Sequence, residues 1–175
     1  VVSSMAWSND ATKLWVIGED SAAYQYQIEA NDTGAAIAIK PIFIGKVEQP
    51  LKNLVSNDSQ GFVGITPEKK TQWWALTAGT AEVPTALNKI DRLGDVGDVV
   101  GLARYEEGGV ARVLVATGDG NVRVVQGTDG AILRSVGHGA AIQHVLAAYD
   151  STKFATIGAD GLIKAWKSAD GAMLW

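Results

Sequence analysis

Three residues of this chain have the types needed for joint acid–base chemistry. His138 could act as a base, Thr156 as the hydroxyl it deprotonates, and Asp160 as the carboxylate that orients the ring. Other chemistry is scarce. His144 is the only further histidine and there is no cysteine, which excludes disulfides and thiolate metal sites. A zinc site would have to draw on carboxylates that show no ligand spacing. Asp119-Gly120 and Asp160-Gly161 lack the further oxygen ligands of a calcium loop. The glycine-rich stretches sit at turns and not before a helix, so no phosphate loop is present. No cofactor and no metal are expected.

The spacing around Asp160 has a second meaning, because it recurs. An acidic turn residue is followed six positions later by an aromatic or apolar one: Asp20 and Tyr26, Glu68 and Trp74, Asp119 and Val125, Asp160 and Trp166. Steps of 48, 51 and 41 residues separate the turns. That is the range of a four-stranded propeller blade with variable outer loops, and too long for most solenoid repeats. The first and last copies align without a gap, DATKLWVIGEDSAAYQYQ on DSTKFATIGADGLIKAWK, with Thr12/Thr152, Lys13/Lys153, Gly18/Gly158 and Asp20/Asp160 among the identities. Each copy reads as short apolar runs between turns, and Asp-Gly between two such runs is a hairpin signal. No segment carries a helical stripe. The 20 glycines fit many tight reversals in an all-β chain.

With Gly137-His138, Thr156 four before Asp160, and Trp166 six after it, the fourth copy resembles a WD-repeat. The resemblance implies a β-propeller in which His138, Thr156, Asp160 and Trp166 form a structural hydrogen-bonded tetrad. Burying those polar groups is tolerable only when all of them are satisfied. The other copies depart from the pattern: none has Gly-His, Tyr26 and Val125 replace Trp, Glu68 replaces Asp, Gly64 stands in place of Thr156, and Trp166-Lys167 replaces the usual Trp-Asp pair. Asp170-Gly171-Ala172-Met173-Leu174-Trp175 is similar to the repeat of quinone-dependent dehydrogenase propellers, but it occurs once.

The expected architecture is an all-β propeller of four-stranded antiparallel blades, over residues 1–45, 46–92, 93–136 and 137–175. Residues 1–8 read as the innermost strand of the first blade and 172–175 as the outermost of the last. No strand is left over to close a ring. The chain is therefore expected to be part of a larger seven- or eight-bladed propeller, completed by further sequence or a second copy, with a small four-bladed ring as the alternative.

Of the six tryptophans, Trp7, Trp15, Trp74 and Trp166 are expected in the core. Trp73, facing opposite to Trp74, is expected either between blades or against a partner, and Trp175 on an outer strand is a candidate contact. Residues 30–50 and 84–98, the latter with Lys89, Asp91, Arg92 and Asp95, are either recognition insertions or plain outer strands with solvated loops. Arg92 is the candidate contact there. Lys69-Lys70 reads as a solvated turn. A net charge of −4 argues against nucleic acid as the main ligand. No apolar stretch approaches 18 residues and no signal-peptide pattern is present, which points to an intracellular protein without a membrane span. The resemblance implies a non-enzymatic interaction scaffold with protein partners. A quinone-type propeller enzyme and a reader of peptides or modified lysine are the alternatives.

Overall fold

The computed structural model of the chain describes all residues but 9, 31–35, 59, 78–85 and 91–92, and the side chains of all of these but 29, 30, 36–40 and 58. Arg92 and Asp91 lie outside the described residues. Four antiparallel sheets follow one another along the chain, each with its strands in sequence order. The first holds β1 (Val2–Trp7), β2 (Lys13–Gly18), β3 (Ala22–Ala30) and β4 (Ala36–Lys46). β5 (Lys52–Asp58), β6 (Gly61–Ile65), β7 (Thr71–Thr77) and β8 (Ala86–Ile90) make the second. β9 (Val99–Glu107), β10 (Val110–Thr117), β11 (Asn121–Gln126) and β12 (Ile132–Gly137) make the third. The fourth has three strands, β13 (Ile142–Ala147), β14 (Lys153–Gly158) and β15 (Ile163–Lys167), with Met173 bridged to Trp166 at its edge. Among the described residues there is no helix.

The acidic turns join the second and third strands of each sheet. In three of them a carboxylate oxygen accepts the amide two residues on, from Ala22, Asn121 and Leu162 to Asp20, Asp119 and Asp160. This is the local bond that makes Asp a turn former. In the second sheet Thr66 Oγ1 accepts from the Lys70 amide instead, which releases Glu68 to take a bond from Gln49 Nε2 at 2.7 Å. The residue after the acid is left-handed in all four turns, at Ser21, Lys69, Gly120 and Gly161.

The sheets stack in chain order, with β1 against β5, β5 against β9 and β9 against β13. Among the described residues the first sheet packs on the second and the fourth on the third, without closing on themselves. Three apolar clusters fill the three joints. Trp15, Ile17, Leu54, Phe62 and Trp74 fill the first, with Trp15 and Phe62 rings 5.8 Å apart. Val63, Trp73, Leu102, Val113 and Val125 fill the second. Leu114, Val124, Val145, Phe154 and Trp166 fill the third. Alternation along each strand explains this, since successive residues supply opposite joints, as Trp73 and Trp74 do.

Of the two alternatives for Trp73 one is selected, and the expectation for Trp7 is corrected. Trp73 is buried between the second and third sheets, so it is not available as a partner contact. Trp7 is half-exposed and not core, because it lies on the face of the first sheet that no other sheet covers. Trp175 is exposed, and its carbonyl accepts the Ala165 amide at the edge of the fourth sheet. Lys69 and Lys70 are exposed and pair with Asp98 and Asp95.

Candidate functional site

Four residues on four separate pieces of chain meet in the joint between the third and fourth sheets. His138 follows β12, Thr156 lies on β14, Asp160 in the turn after it, and Trp166 on β15. Trp166 Nε1 donates to Thr156 Oγ1 at 2.9 Å, and His138 Nδ1 lies 2.7 Å from the same oxygen. On the far side of the ring, His138 Nε2 stands 3.3 Å from Asp160 Oδ1. One protonation pattern uses every donor: the Thr156 hydroxyl donates to an unprotonated Nδ1, and Nε2–H donates to the carboxylate. The Leu162 amide, and behind it His138, hold the Asp160 carboxyl below its usual value.

The backbone around the four is equally committed. The His138 amide donates to the Gly120 carbonyl in the third sheet's turn, and Lys164 Nζ donates to the His138 carbonyl. Gly158 passes so close that a Cβ there would lie 2.3 Å from His138 Nε2 and 2.4 Å from Asp160 Oδ1. Only a residue without a side chain fits. Trp166 stacks on Phe154 with centroids 6.3 Å apart and planes 19° apart.

This geometry decides what the hydroxyl can do. Thr156 is 0% exposed and His138 1%, and the Thr156 oxygen already receives the indole N–H. A substrate carbonyl has no approach to that oxygen, so the nucleophile role considered for Thr156 fails on access. His144 lies on β13 away from these groups and is exposed. Among the described residues no group of three or more His, Asp or Glu is placed to hold a metal ion.

The corresponding positions in the other sheets are not connected in this way. Val16, Gly64 and Val115 stand where Thr156 does. Trp74 keeps the indole, but with Gly64 in the place of Thr156, its Nε1 is buried with no hydrogen-bond partner among the described residues. In the third sheet Asp119 turns to local partners: Thr117 Oγ1 donates to it at 2.5 Å and the Asn121 amide at 3.1 Å, which lower its carboxyl.

A second polar cluster was not legible in the sequence. Arg134 Nη2 donates to Tyr105 Oη at 2.9 Å, to Glu107 Oε1 at 3.1 Å and to the Ser168 carbonyl, while Arg112 Nε donates to Glu107 Oε2 at 2.9 Å. Tyr105 Oη donates to the Ser168 carbonyl at 3.2 Å. Burial pulls the Glu107 carboxyl upward, and the bonds from Arg112 and Arg134 outweigh it, leaving it lowered. Burial raises the Tyr105 phenol. The residues span the third sheet and the strand edge of the fourth with no shared spacing, and only the Ser168 backbone takes part.

Two cavities lie apart from these residues, with none of them in the lining. One of about 700 Å³ lies by the second sheet's turn, lined by Glu68, Lys70, Gln72, Trp73, Lys89 and Asp95 among others. The other, about 450 Å³, lies between the first strands of the third and fourth sheets and has no Trp, Tyr or Phe in its lining. No helix among the described residues is long and apolar enough to cross a membrane.

No protein-family model matches the chain, and no curated protein matches it.

Proposed function

We propose that the chain is a β-propeller of WD-repeat type, its four sheets acting as blades, and that it serves as a non-enzymatic scaffold for other proteins within the cell. The observation that carries this is the bonded set of His138, Thr156, Asp160 and Trp166, its first, second and fourth members closed to solvent and Asp160 at the surface, spanning the joint between two sheets. A set arranged in that way ties structure together instead of meeting a substrate. Support for binding comes from the apolar side chains left exposed on the outer sheets, Met5, Trp7, Phe43, Leu146 and Trp175. The quinone-enzyme alternative has no repeated Asp-Gly-x-x-Leu-Trp to draw on. The modified-lysine alternative would need an aromatic cage, which the lining of the cavity between the first strands does not offer.

The test is a displayed-peptide selection on the folded chain, run beside turnover assays with ester, peptide and quinone-linked alcohol substrates. Selected peptides that bind reversibly and compete with one another, without turnover, support the scaffold. Turnover by the wild type that Thr156→Val abolishes at an unchanged melting temperature would replace it with an enzyme.

A further inference from the structure

We propose that this chain associates head to tail with a second copy of itself: the open face of the first sheet in each copy docks on the open face of the fourth sheet in the other, closing a two-fold ring of eight sheets. The proposal rests on reading the four sheets as propeller blades.

Equivalent positions make the case. Val2, Val99 and Ile142 pair with the residue two before the turn acid, and Met5, Leu102 and Val145 with the residue four before it. In the second sheet Leu51 and Leu54 hold these places, Leu54 beside Gly64. Six of the eight residues are 6% exposed or less, each packed on the preceding sheet. The other two are Val2 at 53% and Met5 at 59%. The first sheet thus presents the joint-forming face of a blade with no other sheet against it among the described residues.

Size picks the occupant. On the facing side of a joint, the residue five before the acid and the residue five after it form the centre. These are Trp15 and Gln25, Val63 and Trp73, and Leu114 and Val124 in the first three sheets, but Ala155 and Ala165 in the fourth. That open face is therefore shallow at its centre, with Leu146 and Ile163 standing exposed around it. The open face of the first sheet is built the other way. Trp7 stands where the other sheets have Ser56, Arg104 and Ala147, and Tyr24 packs edge-on against Phe43 beside it. A bulky aromatic face and a shallow aliphatic one of the same chain are fitted to each other, as the halves of a core are.

The first strands add a polar match. Each carries a β-bulge near its start. In two joints the bulge reaches across: Ser4 Oγ accepts the Leu54 amide at 3.0 Å, and the Asn53 side chain both donates to the Leu102 carbonyl and accepts its amide. In the fourth sheet the residue in the place of Ser4 and Asn53, directly before Val145, is His144, exposed, with no such bond among the described residues. Its two ring nitrogens can donate and accept, and the position it would engage in a second copy is Met5, the counterpart of Leu54 and Leu102. Two copies supply two such joints around a two-fold axis, and eight blades lie within the range of known propellers.

Light scattering on the full chain tests this through two surface variants, Met5→Glu on one face and Leu146→Lys on the other. The wild type is expected at twice its 18.4 kDa mass. Each variant alone is expected to weaken association more than about tenfold, while Met5→Leu retains it. Mixing the two charged variants sets the introduced carboxylate of one against the introduced ammonium of the other and is expected to restore the doubled mass. A wild type that stays at 18.4 kDa at the highest attainable concentration, open-ended growth beyond the dimer, or a mixture that stays monomeric overturns the proposal. Small-angle scattering from the Met5→Glu monomer separates the two levels of failure. A crescent profile with no wild-type dimer refutes only the docking, whereas a profile that fits no arc of four sheets refutes the propeller reading beneath it.

Discussion

Trp74 and Trp166 occupy the same position in two sheets, are buried to the same degree at 4% and 5% exposure, and differ in one bond. The Trp166 indole N–H donates to Thr156, whereas the sheet of Trp74 has Gly64 in the place of Thr156 and the Trp74 N–H has no partner among the described residues. Replacing each by Phe removes similar volume, which costs about 1 kcal/mol from the cavity left behind. Beyond that shared loss the two diverge. Trp166→Phe gives up a made hydrogen bond, worth about 0.5–1.5 kcal/mol, while Trp74→Phe removes a buried donor whose unmet desolvation costs about 1–3 kcal/mol. The reasoning therefore expects Trp166→Phe to be the more destabilising by about 1.5–4.5 kcal/mol, with Trp74→Phe between neutral and about 2 kcal/mol stabilising. Urea unfolding followed by far-UV circular dichroism reads both, and each kcal/mol moves the melting temperature by about 2–4 °C for a chain of this size. Equal losses, or a larger loss at Trp74, would refute the claim that the Thr156 bond stabilises the joint.

Gly158→Ala should cost about 1–3 kcal/mol, because its methyl group must displace either the His138 ring or the Asp160 carboxylate; melting temperature checks the cost, and the His138 ring signals in NMR should move with it. Stability should fall on acidification. Asp10 is lowered from 3.8 to about 2 by the Ser8 hydroxyl and the Thr12 amide, and Asp119, Asp150, Asp160 and Asp170 are lowered by bonds within their turns. A carboxyl with a folded-state value below its unfolded one adds stability above the unfolded value and loses it as pH drops through the folded one. The urea midpoint should thus hold from pH 7 to about 5 and decline between about 4 and 2, and Asp10→Asn should flatten the lowest part of that decline. These groups are exposed, so solvent screening keeps each contribution small. A midpoint that does not move in acid would contradict the assignment.

The parts of the fold that were legible in the sequence are those written in local chemistry. Asp at a turn bonds an amide two residues away, so Asp20, Asp119 and Asp160 mark the hairpins wherever they occur, and the alternation around Trp73 and Trp74 gives their opposite faces. The four residues of the Thr156 set could be picked out because Gly137-His138, Thr156 and Trp166 around Asp160 resemble the WD-repeat pattern. Trp7 departs from the core position its residue type suggests because burial belongs to neighbours: the same alternation that buries Trp15 turns Trp7 to the face that nothing covers. The Arg134 cluster escaped for another reason. Tyr105, Glu107, Arg112 and Arg134 converge from three strands by the register of the third sheet, and no interval along the chain announces it.

The three joints are held by different chemistry, which accounts for how far the repeats have diverged in sequence. The first relies on Trp15 against Phe62, the second on Trp73 among aliphatic side chains with the Asn53 bridge, and the third on the Thr156 set together with Arg134. Any one of these solutions ties two sheets together, so no repeat needs the full residue pattern so long as its joint is filled. Loss of the polar set should therefore loosen one joint and not the whole. Thr156→Ala leaves Trp166 Nε1 and His138 Nδ1 without their shared oxygen, in a joint whose outer strands are held to the rest of the chain on one side only. Amide exchange should then rise first in β13–β15, with β2 and β6 unchanged, because local opening follows the weakest cooperative unit. Uniform acceleration across all four sheets would mean that the joints do not act separately.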